Sequence, residues 1–188
     1  MFKKLNLGSG EFKKQGYVNV DFYSKMEPDV RHDLNIFPYP FGDNEFEQIE
    51  ADHVLEHLID PFRVMRELHR ISSNNAIIII HVPHFSRGFT HSDHKRGFDV
   101  SFPLYFNPNF QGGYQGIEFG HIKTRLRWFS QPYLKQTVFP KPLYYLGTLV
   151  GKILDVLANI SPYLCSRIWC FWVGGFEEIR FVLRTRKL

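Results

Sequence analysis

The spacing of apolar residues changes character midway along this chain. From Phe2 to about Ser86, short apolar runs alternate with polar connections, as strands and their crossovers do. Phe2 to Leu7 predicts a first strand, Tyr17 to Asp21 a second and Asp29 to Leu34 a short third. Phe46 to Ala51 predicts a fourth, introduced by the turn FGDNE. DPFRVMRELHRI reads as a helix: Asp60 caps free amides, Pro61 suits the first turn, and Phe62, Met65 and Leu68 or His69 repeat at helical spacing. SSNN then turns the chain into AIIIIHV, a branched run suited to a strand covered on both faces. Strands alternating with helices predict a parallel sheet in an α/β fold.

The second half loses that rhythm. Residues 84–120 are rich in His, Phe, Gly, Asn and Pro and read as an ordered, loop-rich insertion. HIKTRLRWF and FEEIRFVLRTRK read as strands. Between them Leu143 to Phe171 is strongly apolar and reads as two short helices, interrupted by Lys152, Asp155 and Pro162. A membrane-spanning helix needs about 20 mainly apolar residues, and these interruptions break the run. Core or homodimer packing is the expected use, with Lys152 and Asp155 on one exposed side; an interfacial helix touching a lipid-linked acceptor is the alternative.

Length and composition narrow the picture. The 188 residues suit a single domain, 1–188, with a ligand-binding half over 1–86 and acceptor-side loops, helices and final strands over 87–188. Apolar residues at 44% and charged residues at 22% are a globular balance. A net charge of +4 fits acidic small molecules, nucleic acid or an anionic membrane, and selects none of them. Cys165 and Cys170 lie in an apolar stretch and read as buried free thiols. Strand-like sequence from Phe2 leaves no leader-like apolar segment, so a cytoplasmic protein is expected, with peripheral membrane contact as the alternative.

The candidate chemistry begins where the first strand meets Gly8-Ser9-Gly10. Glycines there let backbone N–H groups approach an anionic group, and Asp21, ending the second strand, can accept from both hydroxyls of a ribose. A dinucleotide fingerprint needs three glycines and an acid about 20 residues on. Here only ten residues separate Gly10 from Asp21, too few for a long helix and a strand. A ligand with a carboxylate in place of a pyrophosphate needs less of that helix.

Read in order, LNLGSG, GYVNVD, HDLNIFPYPFGDNEFEQIEADHVLEHL and IIIIHVPHF resemble the class I methyltransferases that use S-adenosylmethionine. The similarity is greatest to a compact bacterial and archaeal group reading LNLGCG and GWxNVD, often found among enzymes of surface-polysaccharide and glycolipid synthesis. It covers residues 3 to about 98. Ser9 stands where that group has Cys, and SSNNA replaces a KPGG-type turn.

The resemblance implies a Rossmann-like, mostly parallel sheet with a shortened first helix, and a loop-rich insertion plus apolar helices before the last strand. It places Leu7, Gly8, Ser9 and Gly10 around the methionine moiety, Asp21 on the ribose, Asp33 and Leu34 beside adenine, and Ala51 and Asp52 under the methionine part. His57, in LEHL, either lines the site or fixes the local backbone. Asp33 has an Asx turn as its structural alternative and Asp52 a helix cap. Asp21 has little evident structural purpose at a strand end.

Methyl transfer to a hydroxyl asks the protein for orientation and a base. The strand AIIIIHV runs into HVPHFSRGFTHSDHKRGF, and by the resemblance His84 and His94 are the leading bases, His91 is secondary, and Asp93 orients an imidazole. His81 reads as structural, and a structural role for the other histidines stays open. No helical ligand pair of established type is present, so no metal is expected. The basic residues Lys13, Lys14, Arg125, Arg127 and the tail RTRK are scattered, without an Asn-Pro-Pro-Tyr motif, so nucleic acid is not the expected acceptor. The expectation is O-methylation of a sugar or other small acceptor; a non-catalytic cofactor-binding scaffold is the alternative.

Overall fold

The structure is a computed structural model and describes residues 3–89 and 91–187; Phe2, assigned above to the first strand, lies outside them. The strands are β1 (Lys3–Leu7), β2 (Val18–Asp21), β3 (Val30–Arg31), β4 (Phe46–Asp52), β5 (Ser72–Pro83), β6 (Glu118–Arg127) and β7 (Glu178–Arg186). They form one sheet in the order β3-β2-β1-β4-β5-β7-β6. The first five run parallel, and β7 pairs antiparallel with both β5 and β6. The third strand is only two residues long, and SSNN bulges out where the β4–β5 register jumps, with Asn75 at φ 66°.

Helix α1 (Pro61–Ile71) starts as its sequence predicts, with Asp60 Oδ1 accepting from Arg63 N–H at 3.0 Å. Its buried side includes the expected Met65 and Leu68, joined by Val64 and Ile71. Phe62 is half-buried against Phe102 and Tyr105 of the insertion.

Between β1 and β2 the shortening is complete: residues 10–17 form turns and no helix. Buried side chains replace it. Asn19 Oδ1 accepts from Asn6 Nδ2 (3.0 Å) and Lys14 N (2.8 Å), and its own Nδ2 donates to Asp29 Oδ2 (2.8 Å). This pins the loop to the ends of three strands.

The insertion is ordered by buried Phe98, Phe102 and Phe106. A helix α2 (Pro132–Val138) precedes the apolar stretch. The stretch itself forms two helical segments that break before Pro162, as expected: α3 (Lys141–Ala158), longer than expected at 18 residues, and a second over 162–173 that passes from α- to π- and 3-10-helix. Core packing is overturned: Leu146, Leu149, Ile153, Val156, Leu157 and Ile160 are exposed. Asp155, expected outside, faces the sheet. The reason lies in β6, an edge strand with backbone groups to satisfy. Asp155 Oδ1 accepts from Trp128 N–H (2.7 Å), and Asn159 both accepts from Leu126 N–H (2.9 Å) and donates to its carbonyl (2.8 Å). No single helix among the described residues is long and apolar enough to cross a membrane; α3 and residues 162–173 together pass that test, bent by 110°. Cys165 and Cys170 are buried and free.

Candidate functional site

β1 delivers the chain into a turn that only glycine suits. Gly8 has φ +64° and Gly10 φ +48°, and a Cβ on Gly8 would lie 2.4 Å from Val54 Cγ2. Ser9 N–H donates to Val20 O (2.9 Å), while Ser9 Oγ is buried without a partner among the described residues. Asp21 ties the turn together: Oδ2 accepts from Gly10 N–H (2.8 Å) and Oδ1 from Tyr23 N–H (2.9 Å). The acid at the end of β2 therefore has the structural purpose that its sequence context did not suggest. Each carboxylate oxygen keeps a further lone pair for a ligand.

A cleft of about 470 Å³ opens beside this turn at the carboxyl ends of β1, β4 and β5. Gly8, Ser9 and Asp52 line it with Lys14, His53, His81, Arg127 and Glu178. Tyr133 of α2 laps over it, its ring 5.5 Å from Phe12. Leu7 and Ala51 are buried and paired in register between β1 and β4 as packing. Asp33 Oδ1 accepts from Asn35 N–H (2.9 Å) and Asn35 Nδ2 (3.1 Å), the Asx turn named as its alternative. Leu34 is buried, its carbonyl accepting from Tyr39 Oη (2.9 Å). Gly10, Asp21, Asp33, Leu34 and His57 are not among the residues lining the cleft. A larger cleft of about 780 Å³, beside β6 and residues 103–108, holds none of the expected site residues.

The cleft wall is strongly charged. His53, at φ 54°, sits between Glu56 Oε1 and Glu178 Oε2, each 3.1 Å from a ring nitrogen. Burial works against a charged ring there, but the two carboxylates outweigh it and push the imidazole pKa up to about 10. Asp52 Oδ1 lies 3.4 Å from His81 Nδ1, and chiefly this contact holds the Asp52 carboxyl below its ordinary range. Lys14 Nζ meets Glu50 Oε2 at 2.5 Å, and Tyr17 donates to Glu50 Oε1 (2.7 Å). Burial and Glu50 push the Tyr17 hydroxyl up to about 12. His53, Glu178 and Tyr133 were missed from sequence. Only the acid–imidazole run Asp52-His53 hinted at the first, and nothing local marked the others.

The histidines separate into two settings. His84 is 0% exposed, and its Nδ1 and Nε2 share hydrogen bonds with Ser86 Oγ (2.7 Å) and Ser166 Oγ (3.0 Å). Burial pushes its pKa down to about 4. With both nitrogens engaged and no exposed surface, His84 cannot meet an acceptor, which corrects its expected role as a base. It bolts the end of β5 to residues 165–170, where Ser166 in turn donates to Asp99 (2.9 Å). His94, His91, Asp93 and His57 instead assemble together. Asp93 Oδ2 accepts from Nδ1 of His57 at 3.0 Å, an imidazole other than the expected bases. His94 Nδ1 donates to Gly88 O (2.7 Å), and its ring lies 4.9 Å from those of both His57 and His91.

No family model matches the chain, and no curated protein matches its sequence. Solved structures share its fold. An S-adenosylmethionine-dependent methyltransferase from Mesorhizobium loti matches with a TM-score of 0.58 at 13% identity, over 97% of this chain and 90% of that one. A protein of Galdieria sulphuraria, provisionally described as a sarcosine dimethylglycine methyltransferase, matches at 0.59 and 15% identity, over 100% and 79%. The [4+2]-cyclase SpnF matches at 0.55 and 11% identity, over 98% and 75%. The fold is the Rossmann-like fold of class I methyltransferases, a mostly parallel seven-stranded sheet with flanking helices.

Proposed function

We propose that this chain is an S-adenosylmethionine-dependent methyltransferase that methylates an oxygen of a small acceptor of sugar type. The observation that carries the reading is the coupling of Asp21 to Gly10: an acid at the end of β2 holds a left-handed glycine turn at the mouth of a cleft. The residues fit the cofactor. Ser9 Oγ is a buried hydroxyl without a partner among the described residues, Lys14 and Arg127, paired with Glu50 and Glu178, border the cleft where a carboxylate would lie, and Asp21 retains lone pairs for a ribose. When bound, S-adenosylmethionine supplies an electrophilic methyl group. The chain then has to orient an acceptor hydroxyl and take its proton.

His81 is the base we assign to that step in place of His84. It lines the cleft, and Asp52 beside Nδ1 leaves Nε2 for the acceptor. The exposed apolar side of α3 favours an acceptor presented at a membrane surface, such as a lipid-linked saccharide, to a cytoplasmic enzyme resting on the bilayer. SpnF carries the same fold under a different activity, so cofactor binding without methyl transfer is the competing reading.

The test is transfer of labelled methyl groups from S-adenosylmethionine into a mixed extract of sugars and glycolipids. Label should appear in an oxygen-linked methyl ether, and His81→Ala should lower the rate by about 10²–10⁴-fold with little change in cofactor affinity. Tight cofactor binding with no transfer to any acceptor would favour the competing reading.

A further inference from the structure

We propose that Glu56, His57 and His94 form a binding site for a divalent transition-metal ion. One ligand atom from each of the three residues lies within 4.8 Å of the other two. Two imidazoles and one carboxylate are the donor set that first-row ions such as zinc and iron(II) take, with positions left for water or a substrate oxygen.

The tautomers are already set for ligation. His57 Nδ1–H is committed to Asp93 Oδ2 (3.0 Å) and His94 Nδ1–H to Gly88 O (2.7 Å), so both Nε2 lone pairs are available. A ligating histidine commonly donates its other N–H to a carboxylate or a backbone carbonyl, and here each does one of these. His94 Nε2 stands 3.9 Å from Glu56 Oε1.

Glu56 provides the independent observation. Its side chain is 0% exposed; Oε1 meets His53, while Oε2 is buried without any hydrogen-bond partner among the described residues. A buried carboxylate with one oxygen lacking a donor is costly, and a cation held by that carboxylate lowers the cost.

The two chain segments are held together before any ion arrives. Lys95 N–H donates to Glu56 O (3.0 Å), and Arg96 Nη2 donates to Ile59 O (2.8 Å). The loop carrying His94 closes where Gly88 and Gly97 cross; a Cβ on Gly88 would lie 2.6 Å from Gly97 Cα. His57 and His94 keep 33% and 12% of their side chains exposed, which leaves an entry path. The site touches the cleft through Glu56 and His53, but does not depend on the methyl-transfer reading.

The experiment is calorimetric titration of zinc alone into the chelator-stripped full chain. One equivalent should bind. His57→Ala and His94→Ala should each weaken binding by about 100-fold, and Asp93→Asn by about 10-fold, with unchanged circular-dichroism melts of the metal-free proteins. These residues are partly exposed, so the variants avoid the folding risk of changing buried Glu56. His121→Ala, at an exposed histidine of β6, should bind as wild type does. Wild-type affinity no greater than that of the His57→Ala/His94→Ala double variant would overturn the site, as would an equal loss in His121→Ala.

Discussion

Helices α1 and α3 are both built on apolar repeats, yet they turn opposite sides to the protein. α1 packs Val64, Met65, Leu68 and Ile71 inward, across the face of the sheet. α3 turns Leu149, Ile153 and Val156 outward and presents Asp155 and Asn159 to β6. The difference lies in what each helix covers. A sheet face is a wall of side chains and rewards apolar contact, whereas an edge strand offers unpaired amides and carbonyls and rewards hydrogen bonds. Asn159 acts as a partner strand would, donating to and accepting from Leu126.

The largest effect should come from truncating the inward side of α1. Leu68→Ala removes a fully buried side chain and should cost about 2–5 kcal/mol in a denaturant melt. A loss as small as that at an α3 surface position would erase the contrast.

His84 sharpens the comparison from the join between the two regions. Its ring is buried with Ser86 and Ser166, and Asp99 and Arg167 are the charged groups near it. Below its unfolded value of 6.5 the unfolded chain takes up a proton, and the folded ring does so only near pH 4. Stability should therefore fall as pH drops through that window and level off below it, by up to about 3.5 kcal/mol at 1.4 kcal/mol per unit. Thermal melts of wild type and His84→Gln across pH 4–7 should show the steeper loss in wild type; parallel curves would contradict the assignment.

Asn159→Ala leaves both Leu126 backbone groups without their partner and should cost about 1–3 kcal/mol. Ile153→Ser, on the outer side of α3, should change stability by less than about 0.5 kcal/mol. It should instead weaken flotation of the protein with anionic lipid vesicles. Unchanged flotation, or none by wild type, would remove the membrane role proposed for that side.

The same contrast explains what sequence could and could not reveal. The strands, the Asp60 cap and the glycine turn were legible because each is written in neighbouring residues. The orientation of α3 was not, since the period of LVGKILDVLANI marks a helix without saying whether a face or an edge lies beneath it. At the site, Gly8 and Ser9 came forward from the glycine turn and Asp52 from the family resemblance, and all three line the cleft. His84 misled because its position at the end of β5 looked open, while Ser166, which closes it, lies 82 residues away. The Glu56–His57–His94 group was hidden for the same reason: its members come from two distant segments.

The central claim is that the turn held by Asp21 binds S-adenosylmethionine, and calorimetry with the purified chain tests it most directly. The account predicts saturable one-to-one binding of S-adenosylmethionine and of its demethylated product, weakened by about 1–3 kcal/mol in a folded Asp21→Ala variant. Absence of binding by folded wild type, or tighter binding of a nicotinamide dinucleotide, would contradict it.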